Sequence, residues 1–169
     1  MKQEDRQLLL KDLCARLPYG LKGTVGIEVS TGEYSIESGH LLFMEKEIDV
    51  ELLGINKDSE EIEVYPFNDI DLSEYNYTID DFKPYLRSMS NMTEEEEKEY
   101  RKTMDKYTHR LYPNSADFSE HTEYSWTTDT FDFLNAHHLD YRGLIPMGLA
   151  IKAPKDMYYV LECKFYKDK

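Results

Sequence analysis

The chain has 169 residues, a hydrophobic fraction of 40% and a formal net charge of −14. Its length suits one domain, or one domain with a subdomain, and its composition argues against a chain that is disordered throughout. The charge argues against direct binding to nucleic acid or to an anionic membrane, because a phosphate surface needs compensating Lys and Arg residues.

The N-terminal region predicts one helix. Residues 3–17 carry apolar side chains at three- and four-residue spacing, which is typical of an amphipathic helix, and Pro18 and Gly20 follow as stop signals. We expect this helix to pack on a sheet formed by the residues that follow.

Residues 21–67 predict that sheet. They contain four short segments rich in β-branched and aromatic residues, separated by turn sequences. In 61–67, apolar and polar residues alternate, as in a half-buried antiparallel strand. We expect these strands, with one more near residues 75–79 and a short turn over 80–87, to form a meander curled into a small barrel or half-barrel.

The C-terminal half predicts helices. Thr93 and Glu96 have the spacing of a capping box, and they predict a helix over residues 93–109. Residues 110–125 are polar and predict a loop. A second helix is expected from Thr127 or Thr128 to about Leu139.

The last part of the chain predicts a turn of helix and a strand. Asp140 can cap a short third helix, which Pro146 would end because it lacks an amide donor. Residues 157–166 alternate loosely and predict a closing strand. The fold class is therefore α+β, with a helix and barrel-like sheet over 1–88 and a helical part with a closing strand over 89–169, packed as one domain.

Acidic residues concentrate in one stretch. From Glu45 to Asp81 there are 13 acidic residues and two basic ones, a net −11. Such a run is either a solvated outer face of the sheet or an acidic surface that binds a basic partner. In the second case the acidic surface could imitate a nucleic-acid backbone. The acidic partner surface is expected at these residues: Glu51, Glu60, Glu61, Glu63, Asp69 and Asp71.

A second candidate site lies in 131-FDFLNAHHLDYRGLIPMGLA-150. It brings together His137, His138, Asp140, Tyr141 and Arg142, in which a His could act as base and an Arg could stabilise an oxyanion. Adjacent residues of a helix diverge by about 100°, so the two imidazoles would not face one substrate. The alternative is a packing element with hydrogen-bonded polar residues. No nucleophile elbow, phosphate loop or metal-ligand motif is present, and the distant Cys14 and Cys163 form no zinc or redox motif, so no cofactor or metal is expected.

Three segments, 11-KDLCARLPYGLKG-23, 83-KPYLRSMSNMTEEEEKEY-100 and 131-FDFLNAHHLDYRGLIPMGLAIKAPKDMY-158, resemble a family of small uncharacterised proteins of gut anaerobic bacteria, their phages and mobile elements. The resemblance covers roughly a third of the chain. It carries no activity or catalytic residue, and it favours accessory or phage–host roles over housekeeping metabolism.

From these patterns we expect a cytoplasmic, non-enzymatic interaction protein. Its acidic, Tyr-rich surface would bind a protein partner of basic character, with no membrane and no direct nucleic-acid contact. The alternatives are a small hydrolase or ligand-binding protein centred on His137, Asp140 and Arg142, and a nucleic-acid-mimicking inhibitor of host defence. The oligomeric state stays open.

Overall fold

A computed structural model describes residues 1–35, 40–56, 58–111, 119–155 and 157–158. The chain divides into two compact units. The first contains Met1–Leu86 and the chain from Arg142 onward, and the second contains Arg87–Tyr141. In the part of the chain that is described, no helix is both long enough and apolar enough to span a bilayer.

The first unit begins with the predicted helix. Helix α1 spans Gln3–Arg16 and continues into a 3₁₀ helix, Leu17–Tyr19. Gly20 then adopts a left-handed conformation (φ 68°), which a residue without a Cβ atom adopts at little cost. Leu9 and Leu13 are buried, so this face of α1 packs into the core as predicted.

Six strands in the described part of the first unit form one sheet. They span Lys22–Tyr34 (β1), Leu41–Ile55 (β2), Glu61–Pro66 (β3), Tyr77–Thr78 (β4), Phe82–Leu86 (β5) and, after the second unit, Ile151–Lys152 (β8). Their order in the sheet is β4-β3-β2-β1-β5-β8. The pairings are antiparallel except for that of β5 with β8, which is parallel.

The sheet curls into a half-barrel around an apolar core. Alternate residues of β2 (Ile48, Val50 and Leu52) are buried, and their neighbours point away from the core. The α+β class and the barrel-like sheet are therefore confirmed. The turn predicted over residues 80–87 is wrong, because Phe82–Leu86 pairs with β1 as a strand.

The described part of the second unit contains a 3₁₀ helix (Met89–Asn91), two α-helices and a two-stranded sheet. Helix α2 spans Glu94–Thr103 and α3 spans Thr128–Ala136. Between them, β6 (Asp105–Leu111) pairs antiparallel with β7 (Ser119–Ser125). The predicted capping box of Thr93 and Glu96 is confirmed, and Thr127 forms a second one with Thr130.

Several predicted boundaries in this unit are wrong. Helix α2 ends at Thr103 instead of continuing to residue 109, because the Thr103 carbonyl accepts hydrogen bonds from the Thr127 and Thr130 hydroxyls (2.7 and 2.8 Å). The chain then turns into β6, whose strand pairing overrides the helical propensity read from the sequence. Part of the loop predicted over 110–125 is likewise strand β7.

The last predicted elements also differ. Helix α3 ends at Ala136, short of Leu139, and the residues after Asp140 form turns instead of a third helix. The closing strand predicted over 157–166 falls outside the described residues, except for 157 and 158, which lie in a turn.

Gly23 lies where β1 and β5 are packed too closely for a larger side chain. A Cβ atom at this position would lie 2.4 Å from Cζ of Phe82 and 2.6 Å from the backbone oxygen of Lys83. Because that oxygen belongs to the backbone, we expect Gly23→Ala to lower the free energy of unfolding by about 1–3 kcal/mol. Gly54→Ala is the matched control, since its nearest neighbour is 3.4 Å away. Equal urea midpoints for the two variants would contradict this packing.

Glu96 joins the start of α2 to Arg87 within the second unit. Its carboxylate accepts two hydrogen bonds from Arg87 (2.7 and 2.8 Å) and one from the Thr93 amide (2.8 Å). The Arg87 hydrogen bonds hold the pKa of Glu96 below its usual value, and the Thr93 amide adds to this effect against the opposing effect of burial.

A lowered pKa makes the second unit sensitive to acid. The carboxylate is ionised in both states above the unfolded pKa, near 4.5, so its stabilising effect is complete there. The effect is lost as pH falls through the lower folded pKa. We therefore expect Glu96→Gln to lower the free energy of unfolding at pH 6 and to lose less stability than wild type between pH 5 and pH 2. Parallel pH profiles for the two proteins, from urea unfolding, would contradict the assignment.

Candidate functional site

The outer face of β2 carries a row of carboxylates. Glu45, Glu47, Asp49 and Glu51 occupy alternate positions, opposite in direction to the buried Ile48 and Val50. Alternate residues of a strand are about 6.8 Å apart. Four negative charges therefore follow one another along the side of the sheet that faces away from the core.

The neighbouring strands extend this row. Glu28 of β1 lies directly opposite Glu45, and Tyr65 of β3 lies opposite Glu51. Glu61 and Glu63 share the exposed side of β3 with Tyr65, as the alternation in the sequence predicts. The carboxylate face of the sheet is the following set: Glu28, Glu45, Glu47, Asp49, Glu51, Glu61 and Glu63.

Exposed aromatic side chains lie on the same side of the sheet. Phe43 (59% exposed) continues the β2 row, Tyr65 (62%) follows Glu63 in β3, and Phe67 (48%) comes directly after the end of β3. Tyr85 lies nearby and donates a hydrogen bond to Oδ1 of Asp49 (2.8 Å). Burial, followed by this hydrogen bond to Asp49, raises the pKa of Tyr85 to about 12. The phenol therefore stays protonated and holds the Asp49 carboxylate in place.

Two lysines interrupt the negative charge. The Lys22 ammonium lies 5.3 Å from the centre of the Phe67 ring and donates to the Met157 carbonyl (3.3 Å). Lys83 lines a cleft of about 200 Å³ with Glu45, Glu47 and Asp81. Lys22 also lies opposite Glu51 in the β1–β2 register. The seven carboxylates of the face outnumber these two lysines, so its net charge is negative.

The six acidic residues predicted for a partner surface divide into three groups. Glu51, Glu61 and Glu63 belong to the carboxylate face. Glu60 does not, because its carboxylate forms an ion pair with Arg6 of α1 (2.7 Å), which also reaches Asp80 (3.3 Å). Asp69 and Asp71 are exposed in the segment after β3.

Sequence reasoning missed part of the face. The predicted set omits Glu28, Glu45, Glu47 and Asp49. The stretch 45-EKEIDVE-51 carried the signal, since its carboxylates recur at every second position. The net charge of residues 45–81 does not show which carboxylates share one face of a strand, because successive side chains point to opposite faces.

The two histidines of the second candidate site lie beyond the helix instead of within it. His137 is the C-cap residue of α3, its Nδ1 lies 2.9 Å from the Phe133 carbonyl, and its ring stacks on Phe133 at 4.0 Å. His138 has a φ of 51° and is 3% exposed. The expectation that one helical step of about 100° separates their directions is therefore wrong, since α3 ends at Ala136, before both histidines.

Asp140 and Tyr141 also take part in local packing. The Asp140 amide donates to the Arg87 carbonyl (2.7 Å). The Tyr141 hydroxyl donates to Asn135 (3.1 Å), and its ring lies 5.8 Å from those of both Trp126 and Phe131. These contacts join the end of α3 to the start of the second unit.

Arg142 belongs to the first unit. Its guanidinium donates a hydrogen bond to Oδ1 of Asp12 (3.2 Å), and Nε and Nη2 of Arg16 donate to the same carboxylate (2.7 and 3.2 Å). The side chains of Asp12 and Arg16 are fully buried. Arg142 thus ties α1 to the chain that returns after the second unit.

No group of three or more His, Cys, Asp or Glu side chains among the described residues is arranged to hold a metal ion. The chain matches no protein-family model, no curated protein and no solved structure. The resemblance to the family of gut bacteria and their phages therefore stays a prediction.

Asp12 offers a test of the buried ion network. Asp12→Asn keeps the shape and one oxygen of the side chain but removes the buried negative charge that Arg16 and Arg142 both contact. We expect a loss of about 3–5 kcal/mol in the free energy of unfolding, measured with urea. Glu97→Gln breaks the exposed pair with Arg101 (2.6 Å) and should cost less than about 1 kcal/mol. Equal losses would show that the Asp12 network contributes no more than a surface pair.

Proposed function

We propose that this protein is a cytoplasmic interaction protein, without catalytic activity of its own, that binds a basic protein partner through the carboxylate face. The observation that carries the proposal is the alignment of seven carboxylates on one side of the sheet, beside exposed aromatic rings.

The arrangement costs stability, which supports a role in binding. Glu28 and Glu45 are directly opposed, and like charges at such positions destabilise a strand pair. A solvated sheet needs no more than scattered charges of both signs. A basic partner would relieve the repulsion, and its Lys and Arg residues would be steered toward the face during encounter.

The aromatic rings favour a protein as the partner. Tyr and Phe are enriched in the cores of protein interfaces, where they bury a large area with few rotatable bonds. Phe43, Tyr65 and Phe67 provide such area within the negative field of the carboxylates. A partner with basic residues around an apolar centre would match both features.

A second candidate function is favoured by the spacing along β2. Its carboxylates repeat at about 6.8 Å, close to the distance between successive phosphates of one nucleic-acid strand. The partner would then be a nucleic-acid-binding protein whose basic groove the carboxylate face occupies. The resemblance to proteins of phages and mobile elements supports such an accessory role.

Neutralising the face tests the proposal. The triple variant Glu45→Gln, Glu47→Gln and Glu51→Gln should retain the fold and reduce capture of the partner from a host lysate by about tenfold or more, because close charge pairs contribute several kcal/mol to such interfaces. Capture by the wild-type chain should fall as salt rises.

The matched control removes three charges elsewhere. Glu94→Gln, Glu95→Gln and Glu99→Gln change exposed residues of α2 by the same amount. Capture that is equal for the two triple variants would refute the role of the face. If saturating duplex DNA displaces the chain from its partner, the second candidate is supported; a complex that persists in duplex DNA contradicts it.

A further inference from the structure

Strands β1 and β2 continue as a two-stranded ribbon beyond the rest of the sheet. β3 pairs with β2 only over residues 50–55 of β2, and β5 pairs with β1 only over residues 23–25 of β1. The β1–β2 pairing itself continues as far as Ser30 and Phe43 before its register shifts. No described strand therefore pairs with residues 43–47 on the side of β2 that faces away from β1. We call the backbone of residues 43–47 on that side the open edge of β2.

The backbone groups at the open edge are accessible. The Asp49 carbonyl accepts a hydrogen bond from the Phe67 amide on the β3 side of β2 (3.2 Å). Alternate residues of an antiparallel strand direct their backbone groups to the same side. The amides and carbonyls of Phe43, Glu45 and Glu47 therefore point to that side too, beyond the end of β3. Residues 42–47 are all exposed, so another chain can reach these groups.

The two faces of the ribbon differ in chemistry at the open edge. Glu45 and Glu47 lie on the carboxylate face. Leu42 and Met44 lie on the opposite face, where they are 41% and 56% exposed. A strand added at the open edge would place its successive side chains on opposite faces. A matching strand therefore alternates basic residues, beside the carboxylates, with apolar residues, beside Leu42 and Met44.

Charge distinguishes the kinds of strand that fit the open edge. An exposed strand edge is a template for pairing with another chain, and many peptide-binding domains recognise their ligands in this way. A second copy of this chain that paired through the same edge would bring carboxylates opposite or next to Glu45 and Glu47, and like charges at such positions are destabilising. A basic strand meets opposite charge at both positions.

We propose that the open edge of β2 accepts an extended segment of a basic protein, which adds as an antiparallel strand in line with β3. Lys or Arg residues at alternate positions of the segment lie beside Glu45 and Glu47, and the residues between them are apolar and lie beside Leu42 and Met44. The proposal deepens the proposed function and rests on it for the natural source of the segment, the basic partner. The edge itself can be tested with synthetic peptides.

The probe is the peptide acetyl-Lys-Val-Lys-Val-Lys-Val-Lys-amide, with binding to the full chain measured by calorimetry. Its control, acetyl-Lys-Lys-Val-Val-Val-Lys-Lys-amide, has the same composition and charge without the alternation. We expect the alternating peptide to bind at least about tenfold more tightly, because only this peptide can form the backbone hydrogen bonds with all its lysines on one face. Equal binding of the two peptides, or no binding of the alternating peptide at millimolar concentration, would overturn the proposal.

N-methylation of the peptide tests the backbone pairing without any change to the protein. In the antiparallel arrangement the lysine amides point toward β2 and the valine amides point away. N-methylation of the two inner lysines should therefore weaken binding about tenfold or more, because hydrogen bonds are lost, and N-methylation of the two outer valines should change it less than about threefold. Equal effects, or the larger effect at the valines, would overturn the proposed pairing.

Phe43→Pro makes the same test on the protein. Proline removes one amide from the open edge, at a position where a strand tolerates it. Phe43→Ala is the matched control, since both variants lose the ring and only the proline variant loses the amide. We expect Phe43→Pro to bind the alternating peptide about three- to tenfold more weakly than Phe43→Ala, as for one lost hydrogen bond. Equal affinities of the two variants, both folded by circular dichroism, would contradict strand addition. If Phe43→Pro does not fold, the N-methylated peptides decide the question.

Partner capture separates this proposal from the proposed function. If Phe43→Pro captures as much partner as Phe43→Ala, while the triple Gln variant of the carboxylate face loses capture, strand addition is overturned and the role of the face stays. If the triple variants of the face and of α2 capture equally, while the peptides bind in the expected order, the proposed function is refuted and the open edge stays.

Discussion

Asp12 places a carboxylate in the interior of the first unit, where guanidinium groups from Arg16 and Arg142 hold both of its oxygens. A buried carboxylate without such partners would carry a desolvation penalty of several kcal/mol. The burial of the Asp12 carboxylate therefore depends on its contacts with Arg16 and Arg142. Arg142 comes 130 residues after Asp12. The network therefore joins the two segments of the first unit, the one before the second unit and the one after it.

The remaining architecture follows from this closure. With α1 held in place, Leu9 and Leu13 fill the concave side of the half-barrel, against Val25 and Ile48. Leu144 and Ala150, which follow Arg142, complete the same core. The concave side of the sheet thus faces a core that includes residues of α1 and of the chain after Arg142. The convex side is left to solvent, and this is where the carboxylate face lies.

The sequence was sufficient for the features that depend on local chemistry. The α1 helix, the β3 alternation and the Thr93–Glu96 capping box need only neighbouring residues, and all three are present. Features that depend on distant residues were missed. Helix α2 stops because hydroxyls 24 and 27 residues later cap its last carbonyl, and β5 forms because β1 pairs with it.

The candidate sites follow the same rule. Charge density along the chain located the acidic strands, but which carboxylates share a face depends on the register of β1, β2 and β3. The partners of Glu60 and Arg142 lie on α1, far away in the sequence, so their structural roles were hidden. Five polar residues that looked like one site are divided between two units.

Hydroxyl-radical footprinting of the chain, free and bound to its captured partner, can show whether the partner covers the carboxylate face, because it measures the exposure of individual aromatic side chains. We expect Tyr65 and Phe67, exposed beside the carboxylates, to be protected in the complex. Trp126 and Phe131, exposed in the second unit, should keep their reactivity. Protection of Trp126 and Phe131 with unchanged oxidation of Tyr65 and Phe67 would contradict the assignment of the binding surface.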